Sequence, residues 1–306
     1  MKTRTLVIGL LSVLTITSCQ REVEGIIGQN QQVLTNNIYL SRVVELDTSY
    51  ASGLDTFSKT SIVYDASKRL IKVNDTIFEA GSTNIEMIGA ENRFYNGSDT
   101  MPYKFTRWEA YSNGEDIRDT VFFFYNTGGL TIIKDSTIQY YMGAPFTKTV
   151  KKYTDLGGGR YYSDRTAFDY TTGILIAKDS ILMNRTYTAG NMSMMTDSVY
   201  DPFMGQLRYM YRYNYSYDTK NNPFHRALLP YMAQERSGNT KALYSNHASV
   251  NNPVSYSFTS IVGLSLNTGS GQSFYEYDSN NYPVVIRYSS SSFTNKFKTL
   301  LFYRIL

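Results

Sequence analysis

From Ile38 to the carboxyl end the chain keeps one pattern: short runs rich in Val, Ile, Thr, Tyr and Phe, separated by clusters of Gly, Asn, Asp and Ser. β-Branched and aromatic residues suit a pleated, half-buried surface, and the separating residues tolerate turn geometry, so the pattern predicts strands joined by tight turns. Clear strand candidates run from Thr120 to Tyr125, Leu130 to Tyr141, Gly173 to Met183, Gln206 to Tyr217 and Pro283 to Tyr288. Tyr209, Tyr211, Tyr213, Tyr215 and Tyr217 alternate with other residues and would share one face of a strand. Helical spacing occurs only between Pro223 and Gln234, where Phe224, Ala227, Leu228 and Tyr231 recur, and Pro230 limits that segment to a turn or two.

The strands also repeat. A tyrosine followed by Asp, Asn or Thr, then a turn and an apolar run, appears at Tyr64, Tyr95, Tyr125, Tyr153, Tyr170, Tyr200, Tyr217 and Tyr277. Successive gaps are 31, 30, 28, 17, 30, 17 and 60 residues, a ragged unit near 30. About thirty residues hold two long strands with their turns, so each unit reads as one antiparallel hairpin. In Tyr125-Asn126-Thr127-Gly128-Gly129-Leu130 the tyrosine ends a strand and the glycines permit positive φ in the turn. A meander of a dozen or more strands accumulates twist and must curl, close or split. The expected fold is therefore all-β: one long antiparallel meander over 38–306, curled into a barrel, a half-barrel or two packed sheets, with at most one short helix.

The first 37 residues differ. Met1, Lys2 and Arg4 form a basic head, an apolar run extends from Leu6 to Ile16, and small residues precede Cys19. That is the layout of an export signal over 1–18, too short for a lasting span of about 20 residues. Ile16-Thr17-Ser18-Cys19 resembles the lipobox of bacterial lipoproteins, which implies cleavage before Cys19 and acylation of its sulfur and new amino group. Each buried methylene adds roughly 0.8 kcal/mol, so several chains on one cysteine make a stable anchor. Cys19 is the only cysteine, so no intramolecular disulfide competes for it. The polar stretch over 19–37, rich in Gln and Asn, reads as a lipidated tether. Gln20, in place of the aspartate that retains enteric lipoproteins in the inner membrane, implies outward sorting, and Arg21-Glu22-Val23-Glu24 is loosely similar to an acidic surface-export signal of Bacteroidota lipoproteins.

The Tyr-Asp turn units, nearest the pattern in Tyr64-Asp65-Ala66-Ser67-Lys68-Arg69-Leu70, resemble the tyrosine-aspartate repeats of large bacterial surface proteins, with Lys68 where those repeats place a turn glycine. With Tyr217-Asp218-Thr219-Lys220-Asn221-Asn222-Pro223-Phe224 and Tyr277-Asp278-Ser279-Asn280-Asn281-Tyr282-Pro283, the arrangement resembles uncharacterised Bacteroidota lipoproteins, some described as porin-like β-folds. The resemblance implies a curled sheet in the cell envelope. It carries no activity.

Charge excludes some partners. Without Lys2 and Arg4, 28 basic residues face 26 acidic ones, so no polyanion or nucleic-acid groove is expected. A search for catalysis finds little. His225 and His247 have no second histidine at metal-ligand spacing, and Gly157-Gly158-Gly159 lacks the strand-to-helix context of a phosphate loop. Glu109, Glu115, Asp116 and Asp119 are the densest carboxylates, and a solvated hairpin tip accounts for them better than a glycosidase pair. No cofactor is implied.

Two features remain. The 28 tyrosines, with Trp108, Tyr140-Tyr141 and Tyr161-Tyr162, could stack on sugar rings or simply serve as strand residues with a wet edge. Ten of the 16 aspartates precede Ser or Thr. At Thr76, Thr100, Thr120, Ser136, Ser180 and Ser198 this matches the O-glycosylation sequon of exported Bacteroidota proteins, and Asp-Ser or Asp-Thr opening a strand from a turn would produce the same text.

The sequence thus points to a non-enzymatic outer-membrane lipoprotein, held by lipid on Cys19 and facing the periplasm or the surface, that binds a glycan or a protein partner. The alternatives are a scaffold for an outer-membrane complex and, third, an unrecognised hydrolase. Polar residues such as Lys134, Gln139, Arg208, Arg212 and Arg287 interrupt the strands, so the domain is expected to be soluble rather than to cross the bilayer as a barrel.

Overall fold

The structure is a computed structural model and describes residues 38–48, 55–99, 101–126, 132–200, 206–224, 249–262, 265–290 and 297–306. Sixteen strands follow one another: β1 (Ile38–Asp47), β2 (Asp55–Tyr64), β3 (Leu70–Phe78), β4 (Ile85–Phe94), β5 (Lys104–Tyr111), β6 (Asp116–Tyr125), β7 (Ile132–Tyr141), β8 (Ala144–Gly157), β9 (Arg160–Asp169), β10 (Leu175–Thr188), β11 (Asn191–Tyr200), β12 (Leu207–Asn221), β13 (Asn251–Val262), β14 (Ser265–Tyr277), β15 (Pro283–Ser290) and β16 (Phe297–Ile305). Each pairs antiparallel with its neighbours in sequence, and β1 pairs with β16, so the sheet closes into a barrel. Of the three curled forms the sequence allows, closure is the one adopted. It leaves no unpaired edge, which an open meander of this length would expose. The segment from Pro223 to Gln234 is described only at Pro223 and Phe224, and the rest of it, like the Gly128-Gly129 tip, lies outside the described residues.

Register fixes which side chains look inward. Glu91 stands opposite Arg107, Arg107 opposite Asp119, and Asp119 opposite Gln139, so these four share one face. On β6 that face is the buried one: Asp119, Val121 and Phe123 are buried while Arg118, Phe122 and Phe124 between them are exposed. Carried around the barrel through the strand pairings, the same parity takes in Asp135, Lys151, Arg165 and Asp179, and then Tyr211, Tyr213 and Tyr215. The opposite parity is outward. It carries Lys59, Lys72, Lys104, Lys134, Lys148, Lys152, Lys178, Arg208, Arg212 and Arg287, interspersed with Ser, Thr and Asn. Several of these cations lie over outward phenylalanines, with Lys104 Nζ 4.1 Å from the Phe94 ring centroid and Lys134 Nζ 4.8 Å from that of Phe124. Long stems cover apolar rings and carry their charges beyond them. The same outward parity also carries apolar residues, among them Val44, Ile88, Phe122, Phe124, Leu300 and Phe302, so cations and apolar groups share this surface.

The tyrosine repeat has a specific use. Within a hairpin of an odd and the following even strand, the open end brings the start of the first against the end of the second. There a phenol on the even strand donates to a carbonyl at the start of the odd one: Tyr64 to Leu40 O at 3.0 Å, Tyr95 to Leu70 O at 2.8 Å, Tyr125 to Pro102 O at 2.6 Å, Tyr217 to Met192 O at 2.7 Å, Tyr275 to Pro253 O at 2.7 Å and Tyr303 to Pro283 O at 2.5 Å. In the β7–β8 hairpin the acceptor is a side chain, Tyr153 donating to Asp135 Oδ2 at 2.6 Å. The β9–β10 hairpin uses backbone instead, Arg185 N donating to Gly159 O at 2.8 Å. Tyr170 and Tyr200, by contrast, stand at the ends of odd strands, at the opposite mouth. They are the source of the two 17-residue gaps that blur the repeat.

The mouth with the tyrosine clasps is partly covered. Lys220 Nζ reaches Asn281 Oδ1 at 2.7 Å and Asn221 N donates to Asn281 O at 3.2 Å, which ties the end of β12 to the β14–β15 turn. Phe224 then packs against a cluster containing Ile38, Leu40, Tyr64, Ile286, Leu301 and Tyr303. A cavity of about 390 Å³ remains there, lined by residues that include Tyr39, Tyr64, Asn221, Asn222 and Tyr282.

Candidate functional site: a lumen with two walls

The inward face divides into two unlike halves. From β4 to β11 it is ionic. Arg93 meets Glu91 at 2.7 Å, Arg107 lies between Glu109 at 3.6 Å and Asp119 at 2.5 Å, and Arg185 meets Asp197 at 2.7 Å. Arg165 is paired to Asp179 through both carboxylate oxygens. Asp135 faces Lys151 across the β7–β8 register and accepts the Tyr153 phenol. Burial pushes the Asp135 carboxyl above the ordinary carboxylate range and the Lys151 ammonium below its own, with each partner's charge partly offsetting the shift. Asp119 and Asp135 each also present a buried oxygen, Oδ1, with no hydrogen-bond donor among the described residues. A buried acceptor in that condition is costly, and a hydroxyl entering the lumen could satisfy it.

From β12 through β16 to β2 the inward face is richer in aromatic and aliphatic residues, with Glu45, Ser58, Thr60 and Thr299 among them. The five alternating tyrosines of β12 share one face, as their spacing requires, and the register with β11 turns that face inward. Tyr209 meets Tyr211 edge-on at 5.4 Å, Tyr213 and Tyr215 stack at 6.1 Å with planes 10° apart, and Tyr215 contacts Tyr217 at 6.5 Å. Tyr256 and Phe258 of β13 extend this surface, their rings 6.4 and 5.7 Å from that of Tyr213. The next strand offers no bulk at the matching positions. Gly271 stands opposite Tyr256 and Gly269 opposite Phe258. The Tyr256 ring leans onto Gly271, in space a side chain there would occupy. The result is an aromatic ridge beside a glycine floor, with Ser260 and Asn267 on the same inward parity. Burial raises the phenols of Tyr209, Tyr215 and Tyr256 above the usual value, so they remain protonated and able to donate.

The residues singled out from sequence distribute according to parity. Thr76, Thr120, Ser136, Ser180 and Ser198 lie inside strands, not at their first residues, so strand opening does not account for them. Each of these hydroxyl residues follows an inward aspartate and therefore faces outward. Asp75 accepts the Thr60 hydroxyl at 2.7 Å, and the aspartates before Thr120, Ser136, Ser180 and Ser198 belong to the ionic wall. Thr76, Thr120 and Ser136 keep part of their surface, whereas Ser180 and Ser198 are buried in the outward layer, Ser180 donating to Asp164 Oδ1 at 2.8 Å. Thr100, Cys19, His225 and His247 lie outside the described residues.

Strand alternation also splits the carboxylate cluster. Glu109 and Asp119 flank Arg107 in the lumen, Asp116 pairs outward with Arg118 at 2.6 Å, and Glu115 accepts the Tyr141 phenol at 2.9 Å in a turn. A guanidinium between two carboxylates makes an ion triad, not an acid and a base facing each other across a cleft. No group of three or more His, Cys, Asp or Glu that could hold a metal occurs among the described residues. The adjacent aromatic pairs part company as well: Trp108, Tyr140 and Tyr162 face outward, Tyr141 and Tyr161 inward. Sequence reading missed the ionic wall. The signal for it was present, since acidic and basic residues keep one parity on strands that are neighbours in order.

No family model matches this chain, and neither does any curated protein. Among solved structures, a porin-like protein from Bacteroides vulgatus is similar over 88% of this chain and 99% of its own, at 13% identity and a TM-score of 0.49. A porin-like protein from Bacteroides uniformis is similar over 87% and 98%, at 9% identity and a TM-score of 0.45.

Proposed function

We propose that this chain is a non-enzymatic cell-envelope protein, tethered by lipid on Cys19, that binds a glycan along the aromatic wall of its barrel. The observation that carries the reading is the inward file of Tyr209, Tyr211, Tyr213, Tyr215 and Tyr217 beside the floor of Gly269 and Gly271. Phenol faces offer apolar area to the C–H surface of a sugar ring, and phenol hydroxyls bond its oxygens. Tyr211 and Tyr213 keep accessible surface, unlike a sealed core.

The test is a glycan array followed by titration calorimetry on the hits. Tyr213→Ala should weaken binding about tenfold or more, the loss of roughly 1.4 kcal/mol or more of stacking, while Trp108→Ala on the outer surface leaves it unchanged. Absence of any glycan binding at millimolar concentration would count against the reading, as would equal effects of the two variants.

A further inference from the structure

At the mouth opposite the tyrosine clasps, two adjacent hairpin turns carry apolar side chains into solvent. Met142 is 59% exposed, Phe146 56%, Ile174 65% and Ile176 54%. The turns belong to β7–β8 and β9–β10, and they touch: Tyr170 N donates to Phe146 O at 3.1 Å. Behind the apolar groups stand two exposed lysines in the same relation on both hairpins. Lys148 follows Phe146 by two residues on the outward face of β8, and Lys178 follows Ile176 by two on that of β10. Two residues of strand put the backbone of each lysine about 7 Å behind that of its apolar neighbour. Three acidic groups also stand near this rim, and only Asp116 has a cation as partner among the described residues. Asp169 accepts the Thr172 hydroxyl at 2.7 Å and turn amides, Glu115 accepts the Tyr141 phenol, and Asp116 is paired to Arg118.

We infer that the rim formed by the β7–β8 and β9–β10 turns docks on an anionic lipid surface. Its apolar tips enter the boundary between headgroups and acyl chains, and Lys148 and Lys178 meet the headgroup charge. A backbone step of roughly 7 Å from tip to lysine is within the insertion depth of about 5–10 Å typical of interfacial segments. Lysines held at that level are attracted to acidic lipids within a Debye length. Convex turn tips with cations set behind them suit a soft, negatively charged interface better than a flat protein face. A lipid on Cys19 is no obstacle. Although Ile38 enters at the other mouth, the stretch from residue 19 to 38 can extend about 60 Å. A 14-residue strand such as β10 is about 48 Å long and shorter still along a tilted barrel axis.

The test uses the chain from Gln20 onward, which retains every described strand and lacks the proposed anchor. It is floated with vesicles of phosphatidylethanolamine and phosphatidylglycerol, and separately with phosphatidylcholine alone. The expected result is binding to the anionic vesicles, weakened by salt and about tenfold or more weaker on phosphatidylcholine. Met142→Ser with Ile174→Ser, and independently Lys148→Glu with Lys178→Glu, should each abolish flotation while far-ultraviolet dichroism and melting temperature stay at the parent's values. No flotation of the parent, or flotation unchanged in either double variant, would overturn the inference. So would lipid-independent dimers in sedimentation that Met142→Ser with Ile174→Ser converts to monomers, since the rim would then be a contact between two copies.

Discussion

The carbonyl oxygen of Arg185 lies so close to Gly159 that a Cβ at residue 159 would overlap it, while Arg185 N donates to Gly159 O at 2.8 Å. Gly159 also holds a φ of +76°. This backbone contact closes the β9–β10 hairpin where others use a tyrosine. Gly159→Ala must therefore push two strands apart as well as accept left-handed geometry, and a loss of roughly 2–4 kcal/mol is expected. Gly158, next to it at a φ of +62°, has nothing within 4 Å of its Cβ position. Gly158→Ala should cost only about 1 kcal/mol. Urea or thermal melts of the two variants compare close approach with φ alone, and equal losses would contradict the geometry.

The tyrosine clasps carry a second expectation. Tyr64→Phe and Tyr275→Phe remove one phenol each from Leu40 O and Pro253 O without changing ring packing. Each should lower stability by about 1 kcal/mol, and because the hairpins are separate the double variant should lose the sum. Melting curves that show no loss would make the repeated tyrosine a matter of strand packing alone.

Glu45 gives a pH dependence with a definite sign. Its carboxyl faces the lumen and is raised above the usual value, chiefly by burial, with repulsion from Asp75 adding and the Ser58 hydroxyl bond, 2.9 Å to Oε2, opposing. A group whose value is raised on folding contributes stability below its unfolded value, and that contribution is lost as pH rises through the folded one. Ionised Glu45 therefore burdens the fold, the more so as pH rises. Glu45→Gln keeps an acceptor for Ser58 and should be more stable than the parent near pH 7, the difference shrinking as pH falls toward 4. Chemical denaturation at both pH values checks this, and a difference that grows toward acid would contradict it.

The strands, the hairpin unit and the curled sheet were legible in the chain because period-two alternation and turn residues are local signals. Closure was not, since it depends on β1 meeting β16, the two ends of the described chain. Local reading also offered strand opening as one source of the Asp-Ser and Asp-Thr steps. Asp135-Ser136 marks the middle of a strand, its first residue taken by the lumen and its second by the outer surface. The five tyrosines of β12 were placed on one face correctly, but that this face looks inward onto Gly269 and Gly271 required the β12–β13 and β13–β14 registers.

Attachment to the membrane is separable from the fold. Cys19→Ala should leave the protein unacylated and extractable by carbonate or high salt, because acyl chains on that residue are proposed to supply the firm part of the affinity. A variant still resistant to extraction would point to another anchor.

The most direct test concerns what surrounds the barrel. Lys134, Lys152, Lys178, Arg212 and Arg287 all face outward, and a lysine or arginine on a lipid-facing strand costs about 2–4 kcal/mol at the bilayer midplane. Purification of residues 20–306 without detergent, followed by sedimentation velocity and far-ultraviolet dichroism, decides whether water or lipid meets that surface. The expected result is a monodisperse β-rich protein in plain buffer. A chain that aggregates unless detergent is present would contradict it and return the barrel to the hydrocarbon of the membrane.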